Sequence, residues 1–240
     1  MSLILLPNLL DESLSHEIFL PVSIGQAVHK LQGLFAESEK SARRYLRRFL
    51  SHEEMRKISI RLLNEHTKPN EFEELFEPLL RQETWGILSD AGLPCLADPG
   101  AQLVALAHRH QIPVDALVGP SSIVLGLQLS GLASQKFFFH GYLPREIPLL
   151  QHTLKALEKQ SYEQGVTQIF IEAPYRSAKL LDLILEVLKE STCLCVALNL
   201  TTSHQRVISQ KIIEWKKQKE ALLIEKEPAV FLFRASCKTA

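Results

Sequence analysis

The chain carries no excess of either charge: 27 Lys and Arg offset 27 Asp and Glu, for a formal net charge of zero. A protein held on nucleic acid by bulk attraction is usually basic, so any such contact has to come from a local patch. Cysteine is scarce. Cys95, Cys193, Cys195 and Cys237 are too few to staple 240 residues, and none stands in a CxxC pair. Cys193 and Cys195 sit at strand spacing without a second pair or a nearby His, which reads as apolar filler rather than a zinc site, and no metal is expected. No apolar run approaches the ~20 residues that cross a bilayer. The apolar start, Met1 to Leu10, lacks a basic flank and is interrupted by Pro7 and Asn8, so it reads as a buried strand, not a signal peptide. GxGxxG and the P-loop are both missing, so neither a dinucleotide nor a triphosphate is indicated. A cytoplasmic, reduced protein is expected.

A hydrophobic share of 46% with 22% charged residues describes a packed protein of one to two domains. Short apolar runs alternate with longer amphipathic ones. Strands are expected at Leu3–Leu6, Leu34–Ala36, Ile58–Leu62, Trp85–Leu88 and Ile112–Val118. Helices are expected at Val22–Leu31, Ser41–Leu50, Asn70–Leu80, Ala101–His110 and Ile123–Leu129. Around Ser130 to Ser134 the rhythm breaks, and Phe137-Phe138-Phe139 opens a second set. That set has helices at Leu149–Glu158, Ala178–Lys189 and Arg206–Lys217, and strands at Gln168–Glu172, Cys193–Leu198 and Ala229–Arg234. Strand and helix in alternation imply an α/β fold with a largely parallel sheet. Two α/β lobes are expected, 1–134 and 135–240.

In open α/β sheets, ligands gather at the carboxyl ends of parallel strands. Two loops there have unusual composition. Ser89-Asp90-Ala91-Gly92-Leu93-Pro94-Cys95-Leu96-Ala97-Asp98-Pro99-Gly100 combines a permissive glycine, two stiffening prolines and two carboxylates. Val118-Gly119-Pro120-Ser121-Ser122 leads into a helix whose free N–H groups suit a carboxylate or another polar ligand, although either serine serves equally as a plain N-cap. A third feature is local charge. Lys40, Arg43, Arg44, Arg47 and Arg48 project from one side of a helix, with Ala42, Tyr45, Leu46 and Phe49 on the other. Such a face suits a phosphate backbone, against the ordinary reading of a solvated helix face offset by Glu53 and Glu54.

The stretch from Ser89 to Gly100 resembles the SDAGTPxxxDPG signature of the tetrapyrrole-methylase-like S-adenosylmethionine (SAM) methyltransferases, and within them the branch that methylates a ribose 2′-hydroxyl of small-subunit ribosomal RNA. Further matches follow in order. Gly119-Pro120-Ser121-Ser122 is similar to the PGPxA loop, Leu129-Ser130-Gly131-Leu132 to LSxSGLP, Phe139-His140-Gly141-Tyr142-Leu143-Pro144 to FxGFLP, and Phe170 to Arg176 to FYESPHR. Weaker echoes are Ala36-Glu37-Ser38-Glu39-Lys40 for AEDTR, His66 for HxHN and Leu200-Thr201 for RELTK. The resemblance implies a two-lobed fold with a cofactor cleft between the lobes, SAM as cofactor, and homodimers. Carried over by position, cofactor contacts fall on Pro7, Asp90, Ala91, Gly92, Leu93, Leu96, Ser121, Ser122, Ala173 and Ala229. Glu37, His66, Glu172 and Arg176 are the substrate-side catalytic candidates, and the basic helix is the candidate RNA contact.

The departures cluster on the substrate side. The Asp and Arg of AEDTR are Ser38 and Lys40, RELTK loses its Arg, Glu and Lys, TPIGNL is shortened to Pro7-Asn8-Leu9, and Leu93 stands where the signature has Thr. A sulfonium zwitterion needs backbone donors for its carboxylate and no buried cation near sulfur, and the two loops carry no Lys or Arg. The expected activity is methylation of ribosomal RNA ribose. The alternatives are a small-molecule or protein acceptor on the same fold, or a relative that binds SAM or RNA without turnover.

Overall fold

The computed structural model describes residues 1–218, 224 and 226–235. Cys237 lies outside the described residues. The chain divides into two compact units, Met1–Ser121 and Ser122–Ala240.

The first unit runs β1 (Ser2–Leu6), α1 (His16–Phe19), α2 (Ser23–Val28), β2 (Gly33–Ala36), α3 (Glu39–Leu46), α4 (His52–Met55), β3 (Ser59–Leu62), α5 (Phe72–Leu80), β4 (Thr84–Leu88), α6 (Ala101–Arg109) and β5 (Val114–Ala116). Its sheet has the order β3-β2-β4-β1-β5 and every pairing is parallel. Side chains alternate across a strand, so each strand feeds two cores. On one face Ile4, Leu6, Leu34, Ala36 and Leu88 pack with Ile24 and Val28 of α2 and Ala42, Tyr45 and Leu46 of α3. On the other, Leu3, Phe35, Trp85 and Ile87 pack with Phe72, Phe76 and Leu79 of α5 and Leu103 and Ala107 of α6. Burial on both sides explains why these strands read as unbroken apolar runs.

The second unit runs α7 (Ser122–Ser130), β6 (Phe137–Tyr142), α8 (Ile147–Gln164), β7 (Thr167–Glu172), α9 (Ser177–Val187), β8 (Cys193–Leu198), β9 (Arg206–Lys211), α10 (Ile212–Gln218) and β10 (Ala229–Arg234). The sheet order is β6-β7-β10-β8-β9; β6 and β7 are parallel and the other three pairings antiparallel. The main core gathers Leu150 and Leu154 of α8, Leu180, Leu181 and Ile184 of α9, and Ile212 and Trp215 of α10 over Phe170, Leu194, Val196, Leu198, Phe231 and Phe233. Phe170 and Phe231 stack with ring centroids 5.7 Å apart, and Trp215 Nε1 donates to the Leu194 carbonyl at 3.0 Å.

Four expectations are corrected. Residues 206–211 form an edge strand paired with β8, not the first half of a helix. The second sheet is mixed rather than largely parallel. The helix at Ser122–Ser130 packs against β8, β9 and β10, so the division between units falls after Ser121, thirteen residues before position 134. Cys95 and Cys195 are free thiols, whereas Cys193 is disulfide-bonded, which departs from its reading as plain filler. No helix among the described residues is long and apolar enough to cross a membrane.

Candidate functional site

In the first unit, the carboxyl ends of β1, β2 and β4 are laced together by one buried side chain and one carboxylate. Asn8, only 4% exposed, follows β1. Its Nδ2 donates to the carbonyls of Ser89 and Asp90, both at 3.0 Å, and its Oδ1 accepts from the Leu9 N–H at 2.8 Å. The Asn8 N–H donates to the Gly92 carbonyl at 2.7 Å. From the end of β2, Glu37 Oε1 accepts the Asp90 N–H at 2.9 Å. The loop after β4 is therefore gripped from both flanking strands.

The loop after β5 joins them. At Gly119 a Cβ would lie 2.1 Å from Pro7 Cβ, so only glycine lets these two strand ends approach. Gly92 has φ +70°, a left-handed conformation that favours glycine. A Cβ there would stand 3.3 Å from Leu10 Cδ2 and 3.6 Å from the Pro120 carbonyl oxygen. Pro7, Gly92 and Gly119-Pro120-Ser121 thus share one neighbourhood. Among the described residues, the N–H groups of Ala91, Gly92 and Leu93 donate to no protein acceptor. Three main-chain donors beside a glycine cradle, with no Lys or Arg in either loop, fit the carboxylate end of a zwitterionic sulfonium ligand.

Two carboxyls of this neighbourhood bind a proton more readily than they would in water. Burial pushes Glu37 above the ordinary carboxylate range; the Asp90 N–H opposes the shift, while Asp98, Asp90 and Glu65 add repulsion. Burial also raises Asp98, with the Ser89 hydroxyl opposing and Asp90 repelling. His66, after β3, is 84% exposed on its side chain and lies 3.7 Å from Glu65. Among the described residues, its tie to this neighbourhood is indirect. The His66 N–H donates to Asn64 Oδ1 at 3.0 Å, and Asn64 Nδ2 reaches the Glu37 carbonyl at 3.4 Å. Leu96 is exposed farther along the same loop.

The remaining candidates group in the second unit. Glu172 ends β7 fully buried, its Oε1 accepting the Ala173 N–H at 2.8 Å and its Oε2 lying 3.1 Å from Arg176 Nη2. Ala229 opens β10 directly opposite Glu172 in the antiparallel register. Arg176 also reaches the Pro144 carbonyl at 3.5 Å, so the protein itself occupies this guanidinium. Ser122, half-buried, starts α7.

The basic helix has the expected amphipathic face, but most of its cations are engaged. Arg43 pairs with Glu39 at 2.6 Å and Arg44 with Glu12, and Arg48 donates to the carbonyls of Leu14 and Glu12. Lys40 and Arg47 are the two exposed cations of the set without a protein partner among the described residues. Ser38, at the position of the signature's Asp, caps α3 by accepting the Ser41 N–H at 3.2 Å.

Sequence reasoning passed over Asn8 and Asp98 as site residues. Asp98 was visible as the second carboxylate of its loop. Asn8 was visible as the retained Asn of the shortened TPIGNL motif, closing an apolar strand.

The fold is shared with a solved methyltransferase. The structure superposes on the methyltransferase CobJ with a TM-score of 0.60, covering 97% of this chain and 92% of that one at 12% identity. In sequence the chain is similar to the ribosomal RNA small subunit methyltransferase I of Thermotoga maritima, at 32% identity over 63% of this chain and 65% of that protein. The same-named protein of Escherichia coli O157:H7 is 30% identical over 66% of this chain and 55% of its own length. The chain thus matches between about half and two thirds of the length of these curated relatives. No family model matches it. The resemblance read from the motifs is borne out.

Proposed function

We propose that the chain is a SAM-dependent methyltransferase whose acceptor is a ribose 2′-hydroxyl of small-subunit ribosomal RNA. The observation that carries this reading is the meeting of Pro7, Gly92 and Gly119-Pro120-Ser121 at the carboxyl ends of parallel strands, in a chain similar to methyltransferases that bear that name. Bound SAM would supply an electrophilic methyl for in-line transfer to oxygen, a reaction in which alignment is the main demand on the protein. The N–H groups of Ala91, Gly92 and Leu93 and the Ser121 turn would hold the ligand's polar ends, with Pro7, Asp90 and Leu96 around them.

Glu37 is the best placed proton acceptor. The Asp90 N–H fixes its Oε1, its Oε2 has no protein donor among the described residues, and burial raises its proton affinity. Glu172 and Arg176, locked to each other, position the chain between β7 and α9 rather than exchange protons. His66 is an exposed group available to substrate. A cytoplasmic homodimer acting on ribosomal RNA completes the reading.

Calorimetry with SAM or S-adenosylhomocysteine should show one site per chain, and tritiated SAM should label unmodified small subunits. No heat at millimolar cofactor sinks the proposal. Binding without transfer favours a second reading, a non-catalytic relative, in keeping with the helix-capping Ser38 where the signature has Asp.

A further inference from the structure

A groove of about 660 Å³ lies within the second unit, between the start of α8 and the turn that leads into α9. Its exposed wall is apolar and aromatic. The Tyr175 ring is 63% exposed and Ile147 62% exposed, over a floor that includes Leu150 and Leu180. Neither side chain supports the fold from where it stands. Two cations flank them, Arg145 and Lys179, both exposed and without a protein partner among the described residues. Arg176 lies beside them but is committed to Glu172.

The groove is polar along its length. Asp182 and Glu186 occupy the following turns of α9, so the negative charge lies towards that helix's carboxyl end. The cations and the ring sit at the amino end, where the helix dipole also favours anions. An apolar partner would leave Arg145 and Lys179 desolvated and unpaired, and a simple anion would make no use of an exposed ring. A ligand with flat unsaturated faces joined by anionic links uses both. Single-stranded RNA is that ligand, because its bases are free to stack on aromatic side chains while its phosphates meet cations. Duplex RNA hides the base faces.

We infer that this groove binds an unpaired segment of the RNA substrate, with a base stacked on Tyr175 and the neighbouring phosphates on Arg145 and Lys179. The inference rests on the ribosomal RNA reading above and names where that RNA is held outside the SAM loops.

The test uses the full chain, a labelled single-stranded 12-mer RNA and a 12-base-pair duplex, read by fluorescence anisotropy at several salt concentrations. Tyr175→Ala should weaken single-strand binding about 5- to 150-fold. It should leave duplex binding unchanged, and Tyr175→Phe should keep wild-type affinity. Arg145→Glu and Lys179→Glu should each flatten the salt dependence by about 0.7 per lost phosphate contact. Lys155→Glu, an equal charge change on exposed α8, should not. Since Arg145, Tyr175 and Lys179 are exposed, circular dichroism should show all variants folded. Wild-type affinity in Tyr175→Ala, or equal weakening by Lys155→Glu, overturns the site. Methyl transfer to small subunits separates the two levels. A wild-type chain that labels rRNA while the groove variants bind RNA normally sinks the groove alone. A wild-type chain that neither labels nor binds RNA sinks the rRNA reading and the groove with it.

Discussion

Replacing Asn8 with Asp changes one atom type at the point where β1 grips the loop after β4. The amide nitrogen that donates to two carbonyls at 3.0 Å becomes an oxygen facing the same two oxygens. The shape is conserved, so no cavity term enters. Asn8→Ala loses three side-chain hydrogen bonds at about 0.5–1.5 kcal/mol each, or about 1.5–4.5 kcal/mol together. Asn8→Asp should cost more, about 3–5 kcal/mol, because a buried carboxylate is left against acceptors. Its penalty should shrink in acid, where a protonated carboxyl regains one donor. Urea unfolding followed by Trp85 fluorescence, in a Trp215→Phe background, reads the first unit. With a slope of about 1–3 kcal/mol per molar urea, the midpoint should fall by about 1 M or more. SAM affinity should fall with it, since the loop that carries Gly92 loses its anchor. A midpoint within about 0.2 M of wild type for Asn8→Asp, independent of pH, refutes the view that this residue joins the strand ends.

Gly119→Ala drives a methyl into Pro7, 2.1 Å from its Cβ, and should destabilise the first unit by about 1–3 kcal/mol while weakening cofactor binding in calorimetry. Asp98 and Glu37 bind protons more tightly folded than unfolded, where their ordinary values are 3.8 and 4.5. Their contribution is therefore full below those values and lost as pH rises through the raised folded ones. Asp98→Asn should stabilise the protein at neutral pH and not at about pH 3, as thermal unfolding at both pH values will show. Glu37→Gln keeps an acceptor for the Asp90 N–H and should keep SAM affinity while losing about 10²–10⁴-fold in transfer rate; Glu37→Ala should lose both. In anisotropy with RNA, Lys40→Glu and Arg47→Glu should weaken binding, whereas Arg43→Glu, which breaks a pair with Glu39, should do so less.

The first unit was legible because its chemistry is one-dimensional. Leu3–Leu6, Leu34–Ala36 and Trp85–Leu88 are strands buried on both faces, and such strands announce themselves as apolar runs between amphipathic helices. Gly92 and Gly119 were legible as cradle residues because glycine and proline density marks loops that need special backbone. What one strand does to another was not written locally. Asn8 acquires its role only when the parallel register sets β1 beside β4, 82 positions away at Leu6 and Leu88 as elsewhere. The edge strand β9 was misread because its Lys211-Ile212-Ile213 end runs into the helical spacing of α10, which masks the two-residue alternation of Arg206-Val207-Ile208-Ser209. Strand direction in the second sheet was equally hidden, since antiparallel and parallel strands share one composition when both faces are covered. The arginines of α3 were placed on the correct face, and the Glu39–Arg43 pair lies four residues apart on that helix, but Glu12, which occupies Arg44, reaches it only in the folded chain.

The order of the first sheet also sets the order in which it can be assembled. β1 lies between β4 and β5, so neither of its hydrogen-bonded neighbours exists until residues 7–83 have been made. Until then its five residues present an apolar ribbon with unpaired main-chain groups, the form of surface that other chains capture. Parallel pairing at such separation is slow to close. During synthesis, then, the interval between β1 and β4 is the period of greatest exposure to aggregation, and a holding chaperone would find its target in Leu3 to Leu6.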